Sequence, residues 1–249
     1  MSVLGLRSVG HAYLGRTVLD GIELTVGRGE IVALVGPSGC GKSTLAHIAA
    51  GLIQPRAGRV ETAYGRHAMI FQDPCLLPWA TATDNIAYVL RLSHISRKER
   101  ARRVAEVADR VALEAEDLNK YPVELSGGMK QRVAIARALA VRPDFVIFDE
   151  PFTALDVALR RRMQDLVIDT CAARQVSGLF ITHDLSEAAR IADRIAVLDV
   201  RGRGILGDRP LPHAPGTRDE AAVFDWVQTA LREDPLFRHI HDVDERLIA

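Results

Sequence analysis

Ile31-Val32-Ala33-Leu34-Val35-Gly36-Pro37-Ser38-Gly39-Cys40-Gly41-Lys42-Ser43-Thr44 is the stretch that decides how this chain folds. Five consecutive apolar residues bounded by a charge and a glycine read as a fully buried strand. The strand runs straight into the pattern G-x-x-x-x-G-K-[ST], and Ser43–Gly51 continues with helical spacing. Strand, glycine loop and helix in that order make a phosphate-binding loop. Gly36, Gly39 and Gly41 let backbone N–H groups curl around anionic oxygens. The helix behind them adds the positive end of its dipole. Lys42 brings a point charge to the β- and γ-phosphates of a nucleotide, the Ser43 hydroxyl can ligate Mg2+, and Thr44 offers a second hydroxyl. Pro37, Ser38 and Cys40 complete the cradle. By itself such a loop suits kinases, GTPases, helicases and transporters alike.

Outward from this loop lie further short apolar runs, Met69–Phe71, Phe145–Phe148, Leu179–Ile181 and Ile195–Leu198, each bounded by Gly, Pro, Asp or a charge. Helical patterns cover Ala158–Arg174 and Leu185–Asp193 between them. The alternation predicts an α/β core with a parallel sheet and helices on its faces. Val3–Val9 and Gly21–Val26 read instead as antiparallel strands. From Thr83 to Arg142 the pattern is helical, and within Arg97–Leu118 the residues Val104, Val107, Ala108 and Val111 recur at helical spacing opposite Arg, Lys and Glu. The expected architecture is one domain over residues 1–205. Its core is formed by 1–82 and 143–205, with an N-terminal antiparallel β subdomain and an inserted helical subdomain over 83–142. Residues 206–249 then form a linker and a helix. Asp208–Gly216 reads as a proline-rich loop, and Asp219–Leu231 as a helix docking through Val223, Phe224, Val227 and Leu231.

Composition narrows the function. The 249 residues are 48% hydrophobic and 26% charged, ordinary for a globular chain with a sizeable core. Lys plus Arg equals Asp plus Glu at 32 each, so the basic surplus of a nucleic-acid-binding protein is missing. Cys40, Cys75 and Cys171 are far apart and form no CxxC, which reads as free thiols in a reducing cytosol. No run of about 18 apolar residues and no signal-peptide segment occurs, so the chain is not expected to span a membrane by itself. Arg97–Arg103 and Arg160–Arg162 read as solvated helix faces, and His239 and His241 as exposed.

Phe145-Val146-Ile147-Phe148-Asp149-Glu150 is a buried strand ending in two carboxylates. The C-terminal edge of a parallel strand is where such sheets bind ligands. Asp149 is suited to hold Mg2+, directly or through water. Glu150, one residue on and pointing elsewhere by strand alternation, is the candidate to polarise an attacking water.

Leu125-Ser126-Gly127-Gly128-Met129-Lys130-Gln131-Arg132 then resembles the LSGGQ signature of the ABC ATPases, with Met129 in place of the usual Gln. Ser126 sits where a helix N-cap belongs, and helix 127–141 follows, ended by Pro143. Two glycine-bearing helix starts are two anion sites. The resemblance implies how both are used: two copies face head to tail, and Ser126, Gly127 and Gly128 of one close over the ATP held by the P-loop of the other. It also implies roles for Gln72 as the Q-loop residue sensing Mg2+ and water, for Leu155-Asp156 as the D-loop touching the opposite copy, for His183 as the switch histidine on the γ-phosphate, and for Tyr13 as the aromatic stacked on adenine. Glu150, His183, Gln72 and Lys42 would be the catalytic set, and Ser43, Gln72 and Asp149 the metal set. These motifs span roughly residues 4–198.

Gln72-Asp73-Pro74-Cys75-Leu76-Leu77-Pro78-Trp79, followed by Asp84-Asn85, is similar to the nitrate, sulfonate and taurine importer ATPases. Arg59–His67 is shorter than the corresponding connection there. In that family this segment meets a cytoplasmic helix of the membrane-spanning permease, and Leu76–Trp79 is expected to be an exposed apolar cluster. The resemblance implies a homodimer of ATPase subunits, peripheral on the cytoplasmic side of the inner membrane, serving separate permease subunits and an external substrate-binding protein, with no nucleic acid. Repair ATPases of the same superfamily carry coiled coils or zinc inserts that this short, cysteine-free helical region lacks. A kinase or GTPase would leave Leu125–Arg132 and His183 without a purpose.

Overall fold

The computed structural model describes residues 1–92 and 95–237; His239 and His241 lie outside the described residues. Two sheets form. The first is antiparallel, of β1 (Ser2–Tyr13), β2 (Arg16–Gly27) and β4 (Ala57–Thr62) in the order β2-β1-β4. The second is built on β3 (Ile31–Val35), flanked by β5 (His67–Ile70), β6 (Phe145–Asp149), β7 (Ser177–Ile181), β8 (Arg194–Leu198) and β9 (Ile205–Pro210), in the order β5-β6-β7-β3-β8-β9. All its pairings are parallel except β8 with β9.

The period-two rule sorts the central strands into two cores. Val32, Leu34, Phe145, Ile147, Leu179 and Ile181 face the small sheet and α1 (Lys42–Ala49), where they meet Leu6, Ile22, Leu45 and Ile48. Ile31, Ala33, Val35, Val146, Phe148 and Phe180 face the other way. There they pack under α4 (Gly127–Ala140), α5 (Val157–Arg174) and α6 (Leu185–Ile191). The helical region also contains α2 (Ala82–Tyr88) and α3 (Arg97–Arg110), which rest on α4 through Ile86, Val104, Val107 and Ala108. Helices α2 to α6 each open on a side-chain cap: Thr81, Ser96, Ser126, Asp156 and Asp184 accept from their own first-turn N–H groups.

Four elements differ from expectation. Strand β4 pairs with β1 although only Val60 of it is even partly buried. The helix expected across Arg97–Leu118 stops at Arg110, because Ala112 takes a left-handed backbone (φ 57) and ends the run. The expected linker at Asp208 begins as the end of β9: Arg194 to Leu198 pair with Pro210 to Ile205, so the large sheet runs past residue 206. Pro210 is tolerated there as the end of an edge strand. Helix α7 (Glu220–Glu233) buries Val223, Val227 and Ala230, but Phe224 is 62% exposed, one helical step off the packed face. Among the described residues no helix is long and apolar enough to cross a membrane, and all three cysteines are free thiols.

Candidate functional site

The C-terminal ends of β3, β6 and β7 meet at one edge of the large sheet, and the sequence motifs converge there. After β3 the chain turns through Gly36–Gly41 into α1. Gly41 stands at φ 103, and a Cβ on it would lie 2.8 Å from Leu19 Cδ2, so only glycine fits. Helix α1 has no side-chain cap, which leaves its first N–H groups for an anion. Lys42 is buried and its Nζ donates to the carbonyls of Gly36 (2.7 Å) and Pro37 (2.8 Å), holding the loop curled. Ser38 and Gly39 are exposed and Cys40 is buried; burial pushes the Cys40 thiol above its usual range.

Ser43 is exposed at the start of α1 and donates its hydroxyl to Asp149 Oδ1 at 3.0 Å. Asp149 is the last residue of β6 and is buried. Loss of water raises its pKa above the ordinary carboxylate value, opposed by the Ser43 hydrogen bond. Glu150 leaves the strand, but not by simple alternation: its backbone is left-handed (φ 47), which re-aims the side chain, and its N–H donates to Ile181 O at 3.0 Å. A non-glycine residue held there stores strain of order 1–3 kcal/mol, a habit of functional sites. Gln72 Nε2 donates to Glu150 Oε2 at 3.4 Å, and His183 Nδ1 lies 3.2 Å from the same oxygen. Glu150 therefore holds a side chain from beyond β5 and one from beyond β7 on a single carboxylate.

Ser126, Gly127, Gly128 and Asp156 stand apart. Ser126 Oγ caps α4 by accepting from Met129 N at 3.3 Å, and Asp156 Oδ1 caps α5 by accepting from Leu159 N at 2.9 Å. Among the described residues no hydrogen bond joins any of them to the P-loop residues. A Cβ at Gly127 would meet nothing within 4 Å, and one at Gly128 would sit 3.5 Å from Ala154 O, so the signature start and the segment before Asp156 form one surface. Tyr13 lies at the β1–β2 turn, 46% exposed, with its ring edge-on to His11 at 4.7 Å.

The Gln72 loop is anchored by side chains from α2 and α4. Gln131, buried in α4, donates to Phe71 O at 3.3 Å, and Arg137 forks onto Cys75 O and Pro74 O at 2.8 Å each. Asn85 is fully buried and engages its whole amide, accepting from Leu77 N and donating to the carbonyls of Leu77, Ala80 and Thr81. That shapes the loop expected to be an apolar cluster. Trp79 is 74% exposed and Pro78 is exposed, but Leu76 packs partly against the core, so the cluster is narrower than expected. Two arginine runs also differ from free solvated faces. Arg103 is largely covered and paired to Glu99 at 2.9 Å, and Arg160 donates to Leu155 O at 3.2 Å. None of these contacts has a local sequence signal, since the partners lie on other elements.

Comparison with known proteins gives the chain a family. Residues 19–153 match a protein family described as ABC transporter. The chain is 42% identical over 210 residues to the aliphatic sulfonates import ATP-binding protein SsuB 1 of Pseudomonas syringae pv. syringae, covering 84% of this chain and 86% of that one. It is 38% identical over 240 residues to the taurine import ATP-binding protein TauB of Sinorhizobium fredii, covering 94% and 88%. Among solved structures it is similar to the ATP-binding cassette MJ0796 in a dimeric post-hydrolysis state bound to ADP and Pi, with a TM-score of 0.77 and 30% identity over 84% of this chain and 99% of that one.

Proposed function

This chain belongs to the ABC transporter family as an ATP-hydrolysing subunit, and from that premise we propose that two copies, head to tail, hydrolyse ATP at Glu150 to drive import through separate permease subunits. The observation that carries the reading is the single Glu150 carboxylate touched by both Gln72 and His183, beside the Ser43–Asp149 pair at the mouth of the P-loop.

Each residue then has a task. The P-loop N–H groups and the head of α1 bind the phosphates, and Lys42 exchanges its carbonyl partners for phosphate oxygens. Glu150 orients and deprotonates the attacking water, with Gln72 and His183 fixing its rotamer. His183 is half exposed, placed to donate to a γ-phosphate oxygen. Ser126, Gly127 and Gly128 of the opposite copy close over the nucleotide, Asp156 lies in the same contact, and Tyr13 stacks on the adenine. The donor set fits Mg2+: a hydroxyl and a carboxylate, both hard oxygen ligands, already adjacent, with the Gln72 amide on the carboxylate of the next residue, Glu150. When bound there by Ser43, Asp149 and Gln72, Mg2+ would supply charge neutralisation to the β- and γ-phosphates. Loss of the γ-phosphate removes the contacts that bridge the copies, and the pair parts. The similarity to sulfonate and taurine import subunits supports a small solute of the nitrate, sulfonate or taurine kind as cargo, delivered by an external substrate-binding protein. It also supports a place on the cytoplasmic face of the inner membrane, with Trp79 and its neighbours against the permease.

Glu150→Gln tests this. General-base assistance is worth about 10²–10⁴ in rate, so turnover should fall by that factor while ATP binding persists. The variant should accumulate as a dimer in ATP by light scattering. Wild-type turnover, or monomers only with ATP bound, would defeat the reading.

A further inference from the structure

His183 sits in a bend whose leading flank, Thr182, is tied to one buried carboxylate and whose trailing flank, Asp184, is tied to Thr182. Thr182 donates its hydroxyl to Glu187 Oε2 at 3.0 Å, and Asp184 N donates to Thr182 Oγ1 at 3.0 Å. Glu187 lies in the first turn of α6, where Asp184 caps it. Its other oxygen accepts from Gln164 Nε2 at 3.4 Å and faces Arg160 Nε at 3.8 Å. Arg160 reaches the opposite way as well: its Nη2 donates to Leu155 O at 3.2 Å, and its backbone N–H donates to Asp156 O at 2.8 Å. One continuous chain of contacts thus runs from Leu155-Asp156 through Arg160, Glu187 and Thr182 to His183, and His183 touches Glu150.

This chain has slack at one link. Arg160 Nε is buried with no hydrogen-bond partner among the described residues, and 3.8 Å is outside hydrogen-bond range. A buried unpaired N–H is unfavourable, and a shift of about 1 Å would let it bond Glu187. A second arrangement, with Arg160 Nε closed onto Glu187, thus lies within a short side-chain shift of the one seen, and a two-state link of that kind is what coupling between sites requires.

We infer that Arg160 and Glu187 are positioning residues that carry the state of the Leu155-Asp156 segment to His183, so that contact with the second copy at one site sets the histidine at the other. The inference rests on the proposed roles of Asp156 at the copy–copy contact and His183 on the γ-phosphate. A second copy pressing on Leu155-Asp156 moves the carbonyl that Arg160 holds. Arg160 Nε closes on Glu187, Glu187 draws Thr182, and the His183 bend is fixed beside Glu150.

The test uses the full chain with Mg-ATP. Glu187→Gln keeps the shape and can still accept from Thr182 while losing the charge that attracts Arg160; Arg160→Met removes the link from the other end. Each should lower kcat by about tenfold with KM changed by less than about twofold, and the melting temperature of Glu187→Gln should not fall, because burial holds that carboxyl's pKa high and makes its charge costly. The double variant Arg160→Met/Glu187→Gln should be no slower than the slower single one, and His183→Ala/Glu187→Gln no slower than His183→Ala. Multiplying losses, a raised KM at constant kcat, or a wild-type rate for Glu187→Gln would overturn the relay. A wild-type rate for His183→Ala would instead overturn the site reading on which the relay stands, which keeps the two failures apart.

Discussion

In the proposed site Asp149 serves two opposed demands, and they separate experimentally. A carboxylate beside the P-loop is what Mg2+ requires, yet burial raises its pKa above the unfolded value of 3.8. Its ionised form therefore costs the fold stability. The cost is absent below the unfolded pKa and is complete once pH has risen through the raised, folded value. Asn at this position can still accept the Ser43 hydroxyl but carries no charge. Asp149→Asn should thus melt above wild type at neutral pH without nucleotide, lose that advantage at the acid end, and turn over ATP poorly at every pH. Melting curves from acid to neutral pH check the sign; a variant that melts lower at neutral pH would show that the charge is compensated. Lys42, Ser43, Asp149 and Glu150 were legible in the sequence because they follow strand ends marked by apolar runs, whereas Gln72 and His183 were picked out only by resemblance to the ABC ATPases. Gln131, Arg137 and Glu187 were not, because on a helix their types read as solvent-facing and their partners sit on other elements.

The helix that opens at Ser126 binds its own first turn by one hydroxyl, the same hydroxyl proposed to meet ATP on the opposite copy. Capping and phosphate contact can be told apart by charge. Ser126→Ala removes the cap and should cost about 1 kcal/mol, whereas Ser126→Asp restores a good cap but sets a negative charge where phosphate would approach. Denaturant unfolding should rank wild type and Ser126→Asp together above Ser126→Ala, while both variants lose ATP-dependent pairing. Full pairing in Ser126→Asp would remove this helix start from the proposed nucleotide contact. At the same scale, the elements the sequence hid are those whose burial pattern is weak. Strand β4 has one partly buried apolar residue, so its pairing comes from β1 rather than from its own pattern. Strand β9 is an exposed edge carrying Gly207 and Pro210, types that in isolation spell a loop. The end of α3 is set by a single left-handed residue, Ala112, which no periodicity reveals.

Over the whole molecule, the sheet edge that carries the P-loop and the loop around Trp79 are joined by a continuous set of contacts. Gln72 lies at one end of that loop, and Arg137 and Gln131 rivet its backbone to α4, the helix that Ser126 begins. Asn85 locks the other end with four hydrogen bonds made without exposure to solvent. A rigid loop supporting an indole that is 74% exposed makes poor sense for a protein acting alone, since the apolar surface of that ring contributes nothing to the core. It makes sense if the indole is covered in the assembled transporter. Trp79→Ala should then leave the isolated subunit's stability within about 0.5 kcal/mol of wild type and its basal ATPase rate unchanged, because the ring is 74% exposed and, among the described residues, no hydrogen bond or ring contact joins it to the site. Reconstituted with its permease, the same variant should bind the membrane subunits more weakly and lose transport in proportion. Equal transport by variant and wild type would move the docking surface elsewhere, whereas a lost basal rate would mean that Trp79 acts on Gln72 through the loop and not on the partner.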